Sequence, residues 1–172
     1  MKRPTSVRPA ATPARGDPAT GKRVAVIGAG FTGSLLAVHL MTELPRRWSI
    51  LLFDGAGRFG RGLAYSTANA EHLLNVRASN MSAFPDDPGN FTRWLARKAG
   101  GVTPGEADDL RQRFVSRQLY GDYVAELLAT ARATAQEVGL ATEATDVTRL
   151  RETANGIEIG RASCRERVLD SV

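Results

Sequence analysis

The sequence predicts an α/β fold built around a parallel sheet, and two apolar runs and the helical pattern between them carry this prediction. The runs over residues 24–27 and 49–54 are short and continuous, as in strands buried on both faces of a parallel sheet. Between them, apolar residues recur at helical spacing from Gly33 to Leu44, and Pro45 ends the pattern. Strand, helix and strand in this order predict a βαβ unit with a right-handed crossover.

Length and composition fit one globular domain. The chain has 172 residues, of which 42% are hydrophobic, which suffices for one core but not for two large domains. Residues 1–22 hold four of the eight prolines and no aliphatic cluster, so we expect a disordered basic leader before a domain over residues 23–158. No apolar run approaches the roughly 20 residues of a membrane-spanning helix, so we expect a soluble protein without a membrane partner.

The net charge of +5 lies in the first 23 residues, the leader together with Arg23. Residues 1–23 contain six basic residues and one acidic residue, whereas residues 24–158 contain 14 basic and 15 acidic residues. The predicted domain therefore has no basic surface for nucleic acid, and we expect no such partner. The single cysteine, Cys164, excludes an internal disulfide and a cysteine-based metal site, which favours the cytoplasm. His39 and His72 have no second ligand at a suitable spacing, so we expect no metal.

The rest of the chain shows weaker patterns. Residues 54–89 are rich in Gly, Asn and Pro, which predicts a long ordered loop. Helical spacing predicts helices over residues 91–98 and 120–138, and residues 141–159 are typical of short strands. Within them, Asn155-Gly156 is a candidate hairpin turn.

A glycine motif follows the first predicted strand and opens the first predicted helix. Gly28, Gly30 and Gly33 fit the pattern G-x-G-x-x-G, which predicts a dinucleotide site in a Rossmann-like domain. In this interpretation Gly28 permits the tight turn, Gly30 lets the backbone approach a pyrophosphate, and Gly33 lets the helix pack against the sheet. Thr32 lies inside the motif and is a candidate of the same site, where unpaired N–H groups of the helix attract the anion.

Asp54 ends the second predicted strand, where an acidic side chain can accept hydrogen bonds from the adenosine ribose. The alternative is a solvated aspartate that ends a strand or shapes a turn. A carboxylate here also disfavours a 2′-phosphate, because two anions would be forced together. The residues therefore favour FAD or NAD over NADP, and they do not decide between the first two.

Four later stretches resemble one family of flavoproteins. They are FGRGLAYS at 59–66, HLLNV at 72–76, MSAFPDDP at 81–88 and RQLYGDY at 117–123. In this order they are similar to the FAD/NAD(P)-binding family that includes FAD-dependent urate hydroxylases and nitrosuccinate-forming flavin monooxygenases. The resemblance covers about residues 23–158.

The resemblance implies FAD as the cofactor, with its pyrophosphate at the glycine motif and its ribose at the acid. It implies that Gly60 and Gly62 let the backbone pass close to the flavin end, and that Arg61 is available to a phosphate or a carboxylate. Asn75 would bond the flavin edge or cap the loop. Val147 would present backbone groups to adenine or be a plain strand residue.

The resemblance further implies the FAD-binding portion of a flavin-dependent oxidoreductase, a monooxygenase that uses NAD(P)H and acts on an undefined small molecule. An NAD-dependent dehydrogenase and a non-catalytic dinucleotide-binding module are the alternatives. The residues define neither the catalytic groups nor the oligomeric state. No second G-x-G-x-x-G motif occurs, so we expect the N-terminal part of such an enzyme, without turnover of its own.

The last residues have an unusual sequence. Residues 159–168 read IGRASCRERV, which back-translates to the sequence of a common short-read sequencing adapter. We therefore expect residues 159–172 to be a non-native tail, with a natural polar tail as the alternative.

Overall fold

A computed structural model describes residues 22–135, 138–154 and 156–162. It confirms the predicted α/β class, with a parallel sheet, helices packed beside it and a separate hairpin. A single 3₁₀ turn, Ala78–Asn80, interrupts the predicted long loop. The elements are β1 Arg23–Ile27, α1 Phe31–Glu43, β2 Ser49–Phe53, α2 Asn90–Lys98, α3 Pro104–Gln112, α4 Arg117–Thr134, β3 Gly139–Glu143, β4 Val147–Thr153 and β5 Gly156–Arg161.

The main sheet has the strand order β1-β2-β3, and both pairings are parallel. Two backbone hydrogen bonds continue these pairings beyond the strand ends. The Gly28 amide donates to Phe53 O at 2.8 Å, and the Asp54 amide donates to Glu143 O at 3.1 Å. The loops that follow the three strands therefore all begin at the carboxyl ends of the strands, where open α/β sheets bind their ligands.

Strand β1 differs from the expectation of burial on both faces. Val26 is buried, but Ala25 and Ile27 are exposed. In the part of the chain that the structure describes, β1 lies at the edge of the sheet and pairs with β2 alone. The expectation is wrong for β1 because no described element covers its second face, whereas Ile50 and Leu52 of β2 are fully buried.

Two groups of buried apolar side chains join these elements. The first lies between the sheet, α1 and α4 and includes Val26, Val38, Ile50, Leu52 and Leu128. The second surrounds the start of α4 and is rich in rings; it includes Leu74, Phe91, Trp94, Val115, Tyr120 and Tyr123. Because α4 contributes to both groups, it fixes the long loop against the βαβ unit.

The helices depart from the sequence prediction in two respects. Helix α4 begins at Arg117, three residues before the predicted start, and ends at Thr134, four residues before the predicted end. Helix α3 was not predicted, because none of its residues is buried and its pattern has no apolar face. Its local signal is a capping box, in which Thr103 and Glu106 each accept from the other's backbone around the first turn.

The last two strands form an antiparallel hairpin in which Thr153 pairs with Gly156. Asn155 of the predicted turn lies outside the described residues. Strand β5 continues through Arg161, which forms an ion pair with Glu143, so the expected domain end at residue 158 falls within this strand. Residues 163–172 of the expected tail and residues 1–21 of the expected leader lie outside the described residues, and the non-native origin of the tail stays a prediction. None of the described helices is both long and apolar enough to span a membrane.

Candidate functional site

The glycine motif forms the turn between β1 and α1. Gly28 has a φ of +94°, a conformation that residues with a side chain rarely adopt. A Cβ added at Gly33 would overlap the carbonyl oxygen of Gly28 and lie 3.3 Å from a methyl group of Val26. Gly33 therefore lets the helix begin directly against the strand, as the sequence predicts.

The N-terminus of α1 provides the features that a pyrophosphate needs. Gly30 is the N-cap residue and supplies no side chain to the first turn, in which Thr32 is exposed. The first intrahelical hydrogen bond runs from the Ser34 amide to Gly30 O at 3.0 Å, so the amides of residues 31–33 lack intrahelical acceptors. An open cleft of about 520 Å³ lies beside this turn, lined by Ile27 and the glycine motif. A helix N-terminus without a blocking side chain fits a dinucleotide phosphate.

Asp54 lies beside the glycine motif at the end of β2. Its Oδ1 accepts hydrogen bonds from the amides of Ala56 at 3.1 Å and Arg58 at 2.9 Å. Its Oδ2 accepts one long bond of 3.4 Å from the Ala29 amide. The carboxylate thus shapes the turn after β2, as in the alternative interpretation, while Oδ2 retains lone pairs that can accept a ribose hydroxyl.

The segment after Asp54 runs alongside the glycine motif. The Gly60 amide donates to Ala29 O at 3.0 Å, and Gly60 has a φ of +85°. A Cβ added at Gly62, whose φ is +54°, would lie 2.6 Å from the Cα of Gly30. Close packing therefore requires glycine at position 62 against the motif and at position 60 against Ala125 of α4, a role in addition to the approach to the flavin end that the resemblance implies.

Ser34 joins these two segments and was missed as a site residue. It is fully buried, and its hydroxyl donates to Ala29 O at 2.9 Å and accepts from the Gly60 amide at 3.1 Å. The sequence signal is a small hydroxyl residue directly after Gly33, on the helix face that meets the sheet. Ser34 holds the loop that contains Gly60 against the glycine motif.

Arg61 lies across the start of α4 and pairs with Asp122. Its aliphatic stem passes Gly121, where an added Cβ would lie 3.3 Å from the Arg61 Cγ and 2.6 Å from Tyr65 O. The ion pair uses part of the donor capacity of the guanidinium group, which has five N–H donors. Arg61 can therefore bind a phosphate or carboxylate while Asp122 holds it.

Asn75 lies in a segment that pairs with the residues just before α4. The Leu74 amide donates to Val115 O at 2.8 Å, and the Arg117 amide donates to His72 O at 2.7 Å. The Asn75 side chain is exposed and has no hydrogen-bond partner among the described residues. Asn75 therefore does not cap the loop, which was one of the two alternatives, and its side-chain amide is free to bind a ligand.

Val147 is the first residue of β4 and pairs with Arg161. The preceding residue, Asp146, lies against the turn after β2, since a Cβ added at Gly55 would overlap the Asp146 carboxylate. The structure therefore brings the start of β4 next to Asp54, at the end of the site where the adenosine is expected.

Three aromatic side chains pack together at the glycine motif. The Phe31 ring, in the first turn of α1, lies 6.3 Å from the Tyr65 ring and 5.8 Å from the Tyr120 ring, measured between centroids. Burial raises the pKa of Tyr120 well above the ordinary value of a phenol, and the nearby Tyr65 and Tyr123 phenols raise it further. Tyr120 therefore stays neutral and serves packing, and we call these three side chains (Phe31, Tyr65 and Tyr120) the ring layer.

Eight of the ten predicted residues lie in the glycine motif or in the segment from Asp54 to Gly62 that runs alongside it. Val147 opens β4 next to the turn after β2, and Asn75 lies in the segment that pairs with the residues just before α4. Within the described residues, no three His, Cys, Asp or Glu side chains are placed to hold a metal ion. A parallel sheet, a glycine turn that opens a helix and an acid at the end of β2 define a dinucleotide-binding α/β domain. The family model described as FAD-NAD(P)-binding matches residues 25–172, and the chain belongs to this family. Comparison with curated proteins gave no match.

Proposed function

We propose that the chain is the FAD-binding portion of a flavin-dependent oxidoreductase. One observation carries the proposal: the four stretches that resemble flavoproteins form one connected body beside the glycine motif. Gly60 and Gly62 contact the motif, and Arg61 pairs with Asp122 in the stretch that opens α4. The stretch over residues 81–88 joins the same helix, because the Ala83 amide donates to the Tyr123 hydroxyl at 3.2 Å.

These connections favour FAD over NAD. A nicotinamide site of the Rossmann type needs the glycine turn, the helix N-terminus and the ribose acid, all of which lie within the βαβ unit. The further stretches add contacts with Ala29, Gly30 and Phe31 of the motif. A cofactor with a large second half uses such contacts, whereas an NAD-dependent dehydrogenase does not require these stretches.

The chain's own residues then have distinct roles in binding. The free amides in the first turn of α1 hold the pyrophosphate, and Oδ2 of Asp54 accepts from the adenosine ribose. Arg61, held by Asp122, supplies a second positive group to a phosphate. Backbone groups near Val147 approach the adenine.

FAD, when bound, supplies hydride and oxygen chemistry, and the protein supplies binding and orientation. We propose that the complete enzyme takes reducing equivalents from NAD(P)H and oxygenates a small molecule. The described residues contribute the binding of the cofactor to this reaction.

Titration calorimetry of the purified chain with FAD and with NAD⁺ tests the proposal, and the visible flavin spectrum of the purified protein provides a second measurement. We expect FAD to bind at least about tenfold more tightly than NAD⁺, a difference of about 1.4 kcal/mol. Tighter binding of NAD⁺ would reject the flavin assignment in favour of an NAD-dependent dehydrogenase. Equal binding of both, without retained flavin, would favour a dinucleotide-binding module.

A further inference from the structure

A second cleft lies between α4 and strand β3. Its volume is about 480 Å³, and small-molecule sites usually have roughly 300–1,000 Å³. In the part of the chain that the structure describes, β3 is an edge strand of the main sheet. Helix α4 packs mainly on α1, so it does not fill the space over β3. We call this space the edge cleft.

The walls of the edge cleft are mostly apolar. Leu128 lines it from α4, Leu140 from β3, and Phe59 from the loop after β2. Three further lining residues lie one turn apart on α4 and have short side chains that leave the space open: Ala125, Ala129 and Ala133. Walls of this kind bind the hydrocarbon part of a ligand, because that part leaves water for an apolar surface.

Two polar side chains line the edge cleft, those of Arg132 and Thr142. Arg132 is exposed, and neither side chain has a hydrogen-bond or ion-pair partner among the described residues. None of the described residues that line the cleft is acidic, so the guanidinium group supplies an uncompensated positive charge. A guanidinium group can bind a carboxylate through two parallel hydrogen bonds, and a hydroxyl group can donate one more.

The edge cleft is separate from the dinucleotide site. The cleft beside the glycine motif is lined by residues of β1 and of the start of α1, and the two clefts share no lining residue. None of the roles assigned to the cofactor-binding residues uses Arg132 or Thr142. The edge cleft therefore needs an occupant of its own.

We propose that the edge cleft is a second binding site of this chain, for a small apolar carboxylate. The apolar walls hold the hydrocarbon part of the ligand, Arg132 pairs with its carboxylate, and Thr142 donates a further hydrogen bond. A single guanidinium group matches a ligand with one negative charge, whereas a phosphate monoester brings close to two. The inference goes beyond the proposed function, because it does not depend on which dinucleotide the glycine motif binds.

Octanoate is the probe for this site, and octan-1-ol is its neutral counterpart with the same chain length. In NMR titrations of the full chain, we expect octanoate to bind at least about tenfold more tightly than octan-1-ol, because only octanoate pairs with the guanidinium group. R132Q should remove this preference. A129F places a large side chain into the cleft from an exposed position on α4 and should weaken the binding of both ligands.

R111Q is the matched control. Arg111 is an exposed arginine in the last turn of α3, as Arg132 is in the last turn of α4, so both variants remove the same favourable interaction with a helix dipole. We expect R111Q to leave octanoate binding unchanged, and we expect R132Q to bind FAD as the wild type does. Thermal melting confirms that each variant folds.

Four results would overturn the proposal. The first is a wild-type chain that does not bind octanoate, and the second is an equal loss of octanoate binding in R132Q and R111Q. The third is a parallel loss of FAD binding in R132Q, which would place Arg132 in the dinucleotide site. The fourth is a wild-type dimer in sedimentation that A129F dissociates, because a second copy of the chain would then occupy the cleft.

Discussion

Replacing Gly60 with alanine tests how the loop after β2 is packed against the rest of the site. Gly60 has a φ of +85°, and a Cβ at this position would lie 2.6 Å from the Cα and 2.8 Å from the amide nitrogen of Ala125 on α4. Both are backbone atoms of a helix that belongs to two core groups, so neither can move aside cheaply. G60A therefore combines an unfavourable backbone conformation with a steric clash.

The chain contains a matched control that isolates the clash. Gly100 has a φ of +82°, but a Cβ there would meet nothing within 4 Å. A left-handed conformation costs a residue with a side chain about 1–2 kcal/mol, and both variants incur it. Overpacking adds about 1–3 kcal/mol for G60A alone, and we expect about 2 kcal/mol or more because the neighbouring atoms are backbone.

Equilibrium unfolding in urea measures both variants against the wild type. We expect the free energy of unfolding of G60A to lie at least about 2 kcal/mol below that of G100A, with equal m-values. If the two variants agree within about 0.5 kcal/mol, Gly60 does not pack against α4 and the reasoning is refuted.

Three further predictions concern individual side chains. D54A should weaken FAD binding by about 1–3 kcal/mol, the range for hydrogen bonds to a charged group, and calorimetry that finds no loss would remove the ribose role. S34A should lower the free energy of unfolding in urea by about 1 kcal/mol and no more, because the Gly60 amide keeps its bond to the backbone; an unchanged value would show that the hydroxyl contributes nothing. Hydrogen bonding to Arg93 lowers the pKa of Asp87 below its ordinary 3.8, so this carboxylate stabilises the fold above pH 3.8 and the stabilisation is lost as pH falls through the lowered pKa. The melting temperature of D87N should therefore lie below that of the wild type at pH 6 and converge with it under acid conditions; a constant difference would contradict the prediction.

The βαβ unit could be predicted because each of its signals is local. The apolar run before Gly28, the helical spacing after Gly33 and Pro45 at the end of the helix fix the two strands and the helix between them. The class of the fold and the position of the glycine motif follow from these signals and are confirmed. The prediction that β1 is buried on both faces was wrong. Burial depends on what covers the strand, and a local sequence pattern does not contain this information.

The contacts between distant segments could not be predicted from the sequence. Nothing near Gly62 indicates that its Cα approaches Gly30, and nothing near Ser34 indicates that its hydroxyl meets the Gly60 amide. The pairing of Arg61 with Asp122 likewise joins two stretches that are separated in sequence by most of the long loop and by helices α2 and α3. Such contacts arise from the packing of α4 against the long loop, which no local pattern specifies.

Nucleotide binding by G30A tests the central claim, the dinucleotide site at the start of α1, most directly. Gly30 has a φ of −71°, which alanine adopts readily, and an added Cβ would lie 3.7 Å from the Gly62 Cα, an ordinary contact distance. The fold therefore tolerates alanine here, whereas a pyrophosphate that approaches this backbone would not. For G30A we expect an unchanged melting temperature and an FAD affinity that is lower by at least about tenfold. The control is G105A on α3, where an added Cβ would meet nothing within 4 Å, and we expect it to lower neither the melting temperature nor the FAD affinity. An unchanged FAD affinity in a folded G30A variant would contradict the account.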